Sequence, residues 1–459
     1  MSRLDIASLQ QLANRGDLKN LTTSECLQEF GGAFSMTFNA ALLISNANSQ
    51  SSSILQTTLG SSSLFRSGGG NSIANLTRDG SSIKYCLAQL AKAQTCELTV
   101  SGPLLGAVVL LNLIIIATIA AVLLRKSFQP LATLGDAISS FLKEPDMNTR
   151  GCCLMSKTDV WQGRWGLDAA KYWVPRDYYW LSTPSLPRWL IAIFIWVCCA
   201  GTAAAALAIA LLSDPSTRLS PFGTASPYTI VPFPAQASDT AVAVIASLPQ
   251  LLLAALYFVI NSILTTYHLS HESSLFAVGP ARPLRVSADP EGTQTTSLYL
   301  TLSRPTSWAL LIFFVGMGFV LSQSIFPVTI HLSDVSLATT TLTQVKQTTL
   351  VALGFSSTAL LVFIAILVLL AIAVIALGVR RAPAAAFVNG QPVGNPMTLP
   401  AGSCSAVISA RCHASARERD LWRRNVVWGT VKEGMGMEVS HCAFTGGLAS
   451  QLDVSRNYA

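Results

Sequence analysis

Hydrophobic residues along this chain come in long unbroken blocks, not at the period of a half-buried helix or strand. Five blocks are long enough to cross a hydrocarbon core, which takes about 20 helical residues. They cover 103–124, 189–212, 241–264, 308–330 and 350–377, and none contains Asp, Glu, Lys, Arg or His. Inside lipid each backbone N–H and C=O must be satisfied within its own segment, so each block is expected as a helix. The pattern predicts an all-α membrane protein, a bundle of about five transmembrane helices whose first partner is the lipid bilayer.

Lys and Arg in short connections resist translocation and so report orientation. The segment 125–188 holds nine of them and 265–307 holds Arg282, Arg285 and Arg304, whereas 213–240 has Arg218 alone and 331–349 has Lys346 alone. Arg380 and Arg381 open the tail, 378–459. The first pair of segments and the tail are therefore expected in the cytosol, with region 1–102 and the loops 213–240 and 331–349 on the other side.

Between the first two spans, Leu131, Leu134, Ile138, Phe141 and Leu142 recur at helical spacing, and Pro145-Asp146 supplies a stop. This predicts a short amphipathic helix, lying on the membrane surface or packed beneath the bundle. Trp161, Trp165, Tyr172, Trp173, Tyr178, Tyr179, Trp180 and Trp189 follow, a density of aromatic rings that suits the headgroup level. The tail opens with a Pro, Ala and Gly rich linker, 382–402, and then a stretch where Val426, Val427 and Val431 suggest a short strand.

Composition agrees with the blocks: 51% of residues are apolar and 12% charged, where soluble domains carry roughly a quarter charged. A net charge of +7 has its place in the cytosolic loops, and with no run of five or six like charges, nucleic acid is not an expected partner. Asn20-Leu21-Thr22 and Asn75-Leu76-Thr77 are N-glycosylation sequons in the N-terminal region, which also holds Cys26, Cys86 and Cys96, so one disulfide and one leftover thiol are expected there. Cys152-Cys153 on the cytosolic side are candidates for palmitoylation. The stretch from Met1 to Leu18 is polar and lacks a signal-like apolar core.

Candidate chemistry is sparse. Cys404, Cys412, His413, His441 and Cys442 include the residue types of a zinc site, but adjacent Cys-His pairs rarely share one ion and no C-x-x-C occurs, so no metal site is expected. A nucleophilic Cys442 with a neighbouring His as base is disfavoured because sequence neighbours usually point apart. The metalloprotease, serine hydrolase, P-loop and kinase motifs are missing, so neither catalytic residues nor a cofactor is expected. Asn112, Asn261 and Gln323 offer uncharged polar atoms at depth in the spans. A transporter or channel for an uncharged solute would use them, but the spans lack the ionisable group that coupled carriers need. The favoured expectation is a non-catalytic sensor, anchor or scaffold that meets protein partners through its cytosolic loop and tail.

The blocks GDAISSFLKEPD, TRGCCLMSKTDV, CSAVISARCH, VVWGTV and VSHCAFTGG, with the terminal Arg456-Asn457-Tyr458-Ala459, resemble a family of multi-span membrane proteins from filamentous fungi, a domain of unknown function, over roughly residues 20–459. Members generally begin with further membrane helices ahead of a cysteine-containing outer loop. The resemblance implies that this chain starts within that loop, near LTTSECLQEFGGAF, which accounts for the unpaired cysteine and the missing signal. It implies no activity, substrate or catalytic residue.

Overall fold

The computed structural model describes residues 6–30, 38–45, 83–90, 102–125, 131–164, 170–213, 219–224, 229–233, 238–297, 302–335, 345–388, 391–402, 404–415, 417–432 and 439–459. In chain order, the N-terminal region comprises α1 (Ile6–Arg15), β1 (Lys19–Thr22), α2 (Thr23–Phe30), β2 (Phe38–Ser45) and β3 (Ile83–Leu90). Then come α3 (Gly102–Arg125), α4 (Leu134–Lys143), α5 (Lys157–Trp161), β4 (Lys171–Tyr172), α6 (Leu186–Ser213), β5 (Ile230–Pro232) and α7 (Asp239–Leu275). The remainder is β6 (Arg285–Val286), β7 (Thr295–Thr296), α8 (Arg304–Ser324), β8 (Ile325–Val335), β9 (Val345–Phe355), α9 (Ser357–Gly378), β10 (Ala386–Val388), β11 (Gln391–Val393), α10 (Ser405–Ala410), β12 (Val427–Lys432), β13 (His441–Thr445) and β14 (Asn457–Tyr458).

Among the described residues, five helices, α3, α6, α7, α8 and α9, are long and apolar enough to cross a membrane. No residue of α3 is buried, so its apolar surface needs lipid or another apolar partner around it. The chain divides into two compact units, one of Met1–Ile115, Ala200–Leu251 and Gly318–Ala365, the other of Ile116–Cys199, Leu252–Met317 and Ile366–Ala459.

In the first unit, β1, β3 and β2 form an antiparallel sheet in that order. Leu21, Cys26, Phe38, Cys86 and Ala88 make a small core under it. Cys26 and Cys86 are joined in a disulfide, so two of the three thiols expected to share one bond are paired, while Cys96 lies outside the described residues. Asn20 is exposed on the edge strand β1, and Asn75 lies outside the described residues.

The same unit corrects the predicted spans 308–330 and 350–377. Helix α8 stops at Ser324 and α9 starts at Ser357, and the residues between form a hairpin of β8 and β9 paired from Ile325↔Phe355 to Val335↔Val345. The apolar blocks run on past both helices, but Ile325, Val328, Thr329 and Ile330 are β-branched and Pro327 would remove a helical hydrogen bond, so strand wins over helix there. β5 adds to the β9 edge. The start of α9 is clamped by 219–224: the Ser220 amide donates to Ser357 Oγ at 2.7 Å, the Ser357 amide donates back to Ser220 Oγ at 2.8 Å, and Thr358 Oγ1 donates to the Ser220 carbonyl at 2.6 Å. Within this unit the Gln250 side-chain amide donates to the Gly318 carbonyl at 3.3 Å, tying α7 to α8.

In the second unit, Trp196 Nε1 donates to the Leu367 carbonyl at 3.2 Å, joining α6 to α9, and Tyr257 packs edge-on against Phe314 with ring centres 5.2 Å apart, joining α7 to α8. The rest of this unit is the ordered body described next.

Candidate functional site

Three stretches far apart in sequence, 131–188, 276–297 and 382–459, contribute to one hydrophobic core in the second unit. Ile138 and Cys153 come from the first, Phe276 and Leu284 from the second, and Trp428 and Phe444 from the third. Phe276 and Phe444 meet edge to face with ring centres 5.6 Å apart, and the Trp428 amide donates to the Phe276 carbonyl at 2.8 Å, so the β12–β13 hairpin is fixed to the residues just beyond α7. At the far end of the tail, β14 pairs with β4.

The predicted amphipathic helix exists as α4, and its apolar face goes into this core: Leu134 and Ile138 are buried, while Leu131 precedes the helix and is exposed. Thr133 and Asp136 form a capping box, satisfying amides that a helix N-terminus leaves open. The Asp136 carboxylate does more than cap. It accepts from the Ser287 amide at 2.8 Å and Ser287 Oγ at 2.7 Å, while Thr133 Oγ1 reaches the Arg285 carbonyl at 2.7 Å. Gly135 sits against the same Arg285 peptide, so the helix start and the second stretch meet backbone to backbone.

Burial alone would raise the Asp136 pKa, but the hydrogen bonds from Ser287 and Thr133 outweigh it and hold the carboxyl below the usual carboxylate range. Asp159 follows the same pattern, with burial opposed by Lys171, 2.5 Å away, and by Ser156. A carboxyl whose folded pKa is depressed stabilises the fold above its unfolded value, near pH 4, and loses that contribution as the pH falls through its folded value. Detergent-purified protein should therefore keep its buried thiols shielded at pH 5 to 7 and lose shielding well below pH 4, read with dithiodipyridine, which still reacts with exposed thiols in acid. Asp136→Asn should weaken shielding at neutral pH, by about 2 kcal/mol in opening free energy, and flatten the acid dependence. An Asn variant as well shielded as the parent at every pH would refute this role.

The linker expected at 382–402 is instead folded. β10 and β11 pair as a hairpin, and Asn395, Met397 and Leu399 are buried. Asn395 donates its side-chain amide to the Ser274 carbonyl at 2.9 Å and the Pro383 carbonyl at 2.8 Å, and its side-chain oxygen accepts from the Met397 amide at 2.8 Å. The Pro and Gly content gave the linker reading; satisfied polar bonds and buried Met and Leu side chains override it. The short strand expected around Val426 to Val431 is β12.

The five residues weighed as zinc ligands are placed in separate roles. His413 Nε2 shares a hydrogen bond of 2.9 Å with Thr149 Oγ1, which in turn bonds Ser409 Oγ at 2.7 Å. His441 has both ring nitrogens on carbonyl oxygens, of Ala459 at 2.6 Å and His413 at 2.9 Å. Cys412 and Cys442 are buried in the core and Cys404 is half-buried at the start of α10. Among the described residues no group of three or more His, Cys, Asp or Glu is arranged to hold a metal ion.

Cys152 and Cys153, the candidates for palmitoylation, are buried, at 2% and 0% exposure. Cys153 lies at a thiol–guanidinium centre. The Cys442 thiol bonds it and lowers its pKa, against burial and with help from the Arg411 charge; burial pushes the Cys442 and Cys412 thiols up. Arg411 is buried, donates to the Met397 and Pro396 carbonyls at 3.4 and 3.2 Å, and is brought down to about 10 by burial. Sequence adjacency hid this centre, because nothing in CSAVISARCH shows that Arg411 turns inward.

The aromatic belt divides. Trp173 joins the core, Trp161 is 82% exposed, Trp165 lies outside the described residues, and Trp180 is buried against α7. Of the polar residues in the spans, Asn112 donates to the Val108 carbonyl of its own helix at 2.9 Å; the Asn261 carbonyl accepts from Thr265 Oγ1; and Gln323 lies where a side chain at Gly223 would meet it. Beside Trp428, Gly279, Ala385 and Ser450 a cleft of about 110 Å³ opens on the surface.

Among the described residues, five helices long and apolar enough to cross a membrane mark a membrane protein, and both intervening stretches and the tail make a composite ordered module. The sequence profile of one family matches residues 133–176 and 167–450, so the chain belongs to the family described as domain of unknown function DUF8419. The match begins at the N-cap of α4 and takes in the module and the helices α6 to α9. No curated protein and no solved structure matches the chain.

Proposed function

We propose that the protein is a non-catalytic membrane platform, a sensor, anchor or scaffold of the fungal kind that the resemblance implies. Its N-terminal region lies on the non-cytosolic side and its module and tail in the cytosol, where they engage protein partners. The observation that supports this reading best is the joint core of 131–188, 276–297 and 382–459, which makes one defined surface out of the soluble chain next to the spans. That surface presents Trp161, Tyr172, Val174 and Leu448, large apolar side chains of the kind that anchor interfaces. Asn112 and Gln250, two of the polar side chains bonded in the spans, act in helix structure and helix contact, which favours a platform over a solute path.

Engineered glycosylation acceptors in the full chain test the orientation. Modification of the N-terminal region and of the loop at Arg218, with none in the module, is the expected result, and the reverse pattern overturns it. A photo-crosslinker at Trp161 or Leu448 is expected to trap a defined protein partner in cells, while purified protein in liposomes passes no solute. Solute flux together with no crosslinked partner would instead support the transporter reading.

A further inference from the structure

Helix α3 carries a side-chain amide near its middle. Asn112 stands close to the centre of the 24 residues Gly102–Arg125, so when α3 crosses a membrane this amide lies near the centre of the hydrocarbon. Its Nδ2 donates one N–H to the Val108 carbonyl of the same helix at 2.9 Å. Among the described residues, the second N–H and the side-chain oxygen have no partner. An amide left open in hydrocarbon costs several kcal/mol, because no water is there to bond it. Gln250 meets the same demand by reaching from α7 to the Gly318 carbonyl of α8. Asn112 has no such neighbour: no residue of α3 is buried, and Asn112 is exposed with the rest of the helix.

The residues that share its face form a pattern. Leu105, Val108, Asn112, Ile115, Ile119 and Val122 follow one another in alternating steps of three and four, the a and d spacing of a heptad. The apolar members of this stripe are β-branched apart from Leu105, and each is more than half exposed. A repeat of 3.5 residues keeps such a stripe turned toward a partner helix through a gentle left-handed crossing, the prevailing geometry in membrane bundles. Asn112 takes an a position with apolar seam on either side, and a lone Asn at an a position is the device that fixes register and strand number in two-stranded coiled coils. Leu110, Ala117 and Leu124 lie on the opposite face.

We infer that α3 pairs with the α3 of a second copy of this chain, parallel and in register along this stripe, with Asn112 bonded to Asn112. The open amide requires a partner that offers both a donor and an acceptor at its own depth. Two copies inserted in the same sense run parallel, so each brings its Asn112 to the depth of the other. The amide is its own complement in partial charge, since the N–H of one copy meets the oxygen of the other and the reverse holds across the two-fold axis. Lipid tails and purely apolar helices offer neither group. The pairing rests on α3 crossing a membrane, and on neither the orientation of the module nor the platform reading.

Full-length copies tagged separately with donor and acceptor fluorophores would be mixed in detergent micelles, and energy transfer followed as the protein is diluted into detergent. The expected result is transfer that dilutes out reversibly, with the dissociation constant raised about tenfold in Asn112→Leu, the size of an interhelical hydrogen bond, and raised less in Asn112→Gln, which keeps both polar groups. Because no residue of α3 is buried, Asn112→Leu should leave the rest of the fold intact, and shielding of Cys153 and Cys442 from maleimide would verify it. In membranes of expressing cells, where all copies insert in one sense, an oxidant should join two chains through Val108→Cys or Ile115→Cys well above the parent's background, but not through Leu110→Cys or Ala117→Cys. Transfer unchanged in folded Asn112→Leu, absence of transfer in the parent at every ratio, or equal crosslinking from both faces would overturn the inference. So would a Val108→Cys disulfide formed within one chain or to a different protein, which would assign the stripe to another helix.

Discussion

Gly135→Ala should open the module, raising the rate at which Cys153, Cys412 and Cys442 react with maleimide about a hundredfold in detergent-purified full-length protein. Those thiols are buried in the core, so they react only when it opens, and their rate reports the opening equilibrium. An alanine Cβ at position 135 would stand 2.1 Å from the Arg285 carbonyl oxygen and 2.7 Å from its carbonyl carbon and amide nitrogen. These are backbone atoms and cannot swing away as a side chain tip would. Moving them apart would strain the Thr133–Arg285 bond and the two Ser287 bonds to Asp136, which hold the helix start in the same place. Overpacking of this kind costs about 3 kcal/mol, which is roughly two powers of ten in the opening constant. Gly201→Ala is the control, since nothing lies within 4 Å of a Cβ there and the rate should stay near that of the parent. If Gly135→Ala labels as slowly as the parent, α4 is not docked on the second stretch as described.

Trp428→Ala should be at least as damaging, about 4 kcal/mol, because it removes the largest of the fully buried side chains from the centre of the core. Trp428 stands opposite Phe444 in the β12–β13 ladder, and its amide is bonded to Phe276, so the cavity would form where the tail is joined to the end of α7. Trp428→Phe should cost far less, about 1 kcal/mol. It loses some contact area but also removes an indole N–H that is buried without a partner. Thermal unfolding of the full chain, followed by thiol exposure, would order the three proteins as parent, Phe, Ala. An Ala variant as stable as the Phe variant would show that the hairpin is not held by this core.

Much of the architecture was legible because lipid imposes a simple rule. Uncharged apolar blocks of helical length can only be satisfied as helices, and α3, α6, α7, α8 and α9 follow from that. The α4 helix was legible from its apolar spacing and the stop after it, and β12 from its alternating valines. The ends of α8 and α9 were not, since hydropathy cannot separate a β-branched apolar strand from the last turns of a span. The 382–402 stretch failed for the opposite reason: Pro and Gly mark turns, but they do not say whether those turns are buried and bonded.

The candidate sites were the least legible. Nothing local to Cys152 and Cys153 shows that they are covered, and nothing local to Arg411 shows that it points inward, because the residues around them come from stretches up to about 300 positions away. Likewise Trp180 reads as one more belt aromatic until Tyr267, His271 and Arg380 are brought to it. The sequence by itself determined the five apolar helices and the amphipathic character of α4, since lipid and helical periodicity act on each segment alone. Only the tertiary structure decided that both intervening stretches and the tail share one core, and which of their side chains it covers, because those depend on contacts between segments that carry no signal of each other.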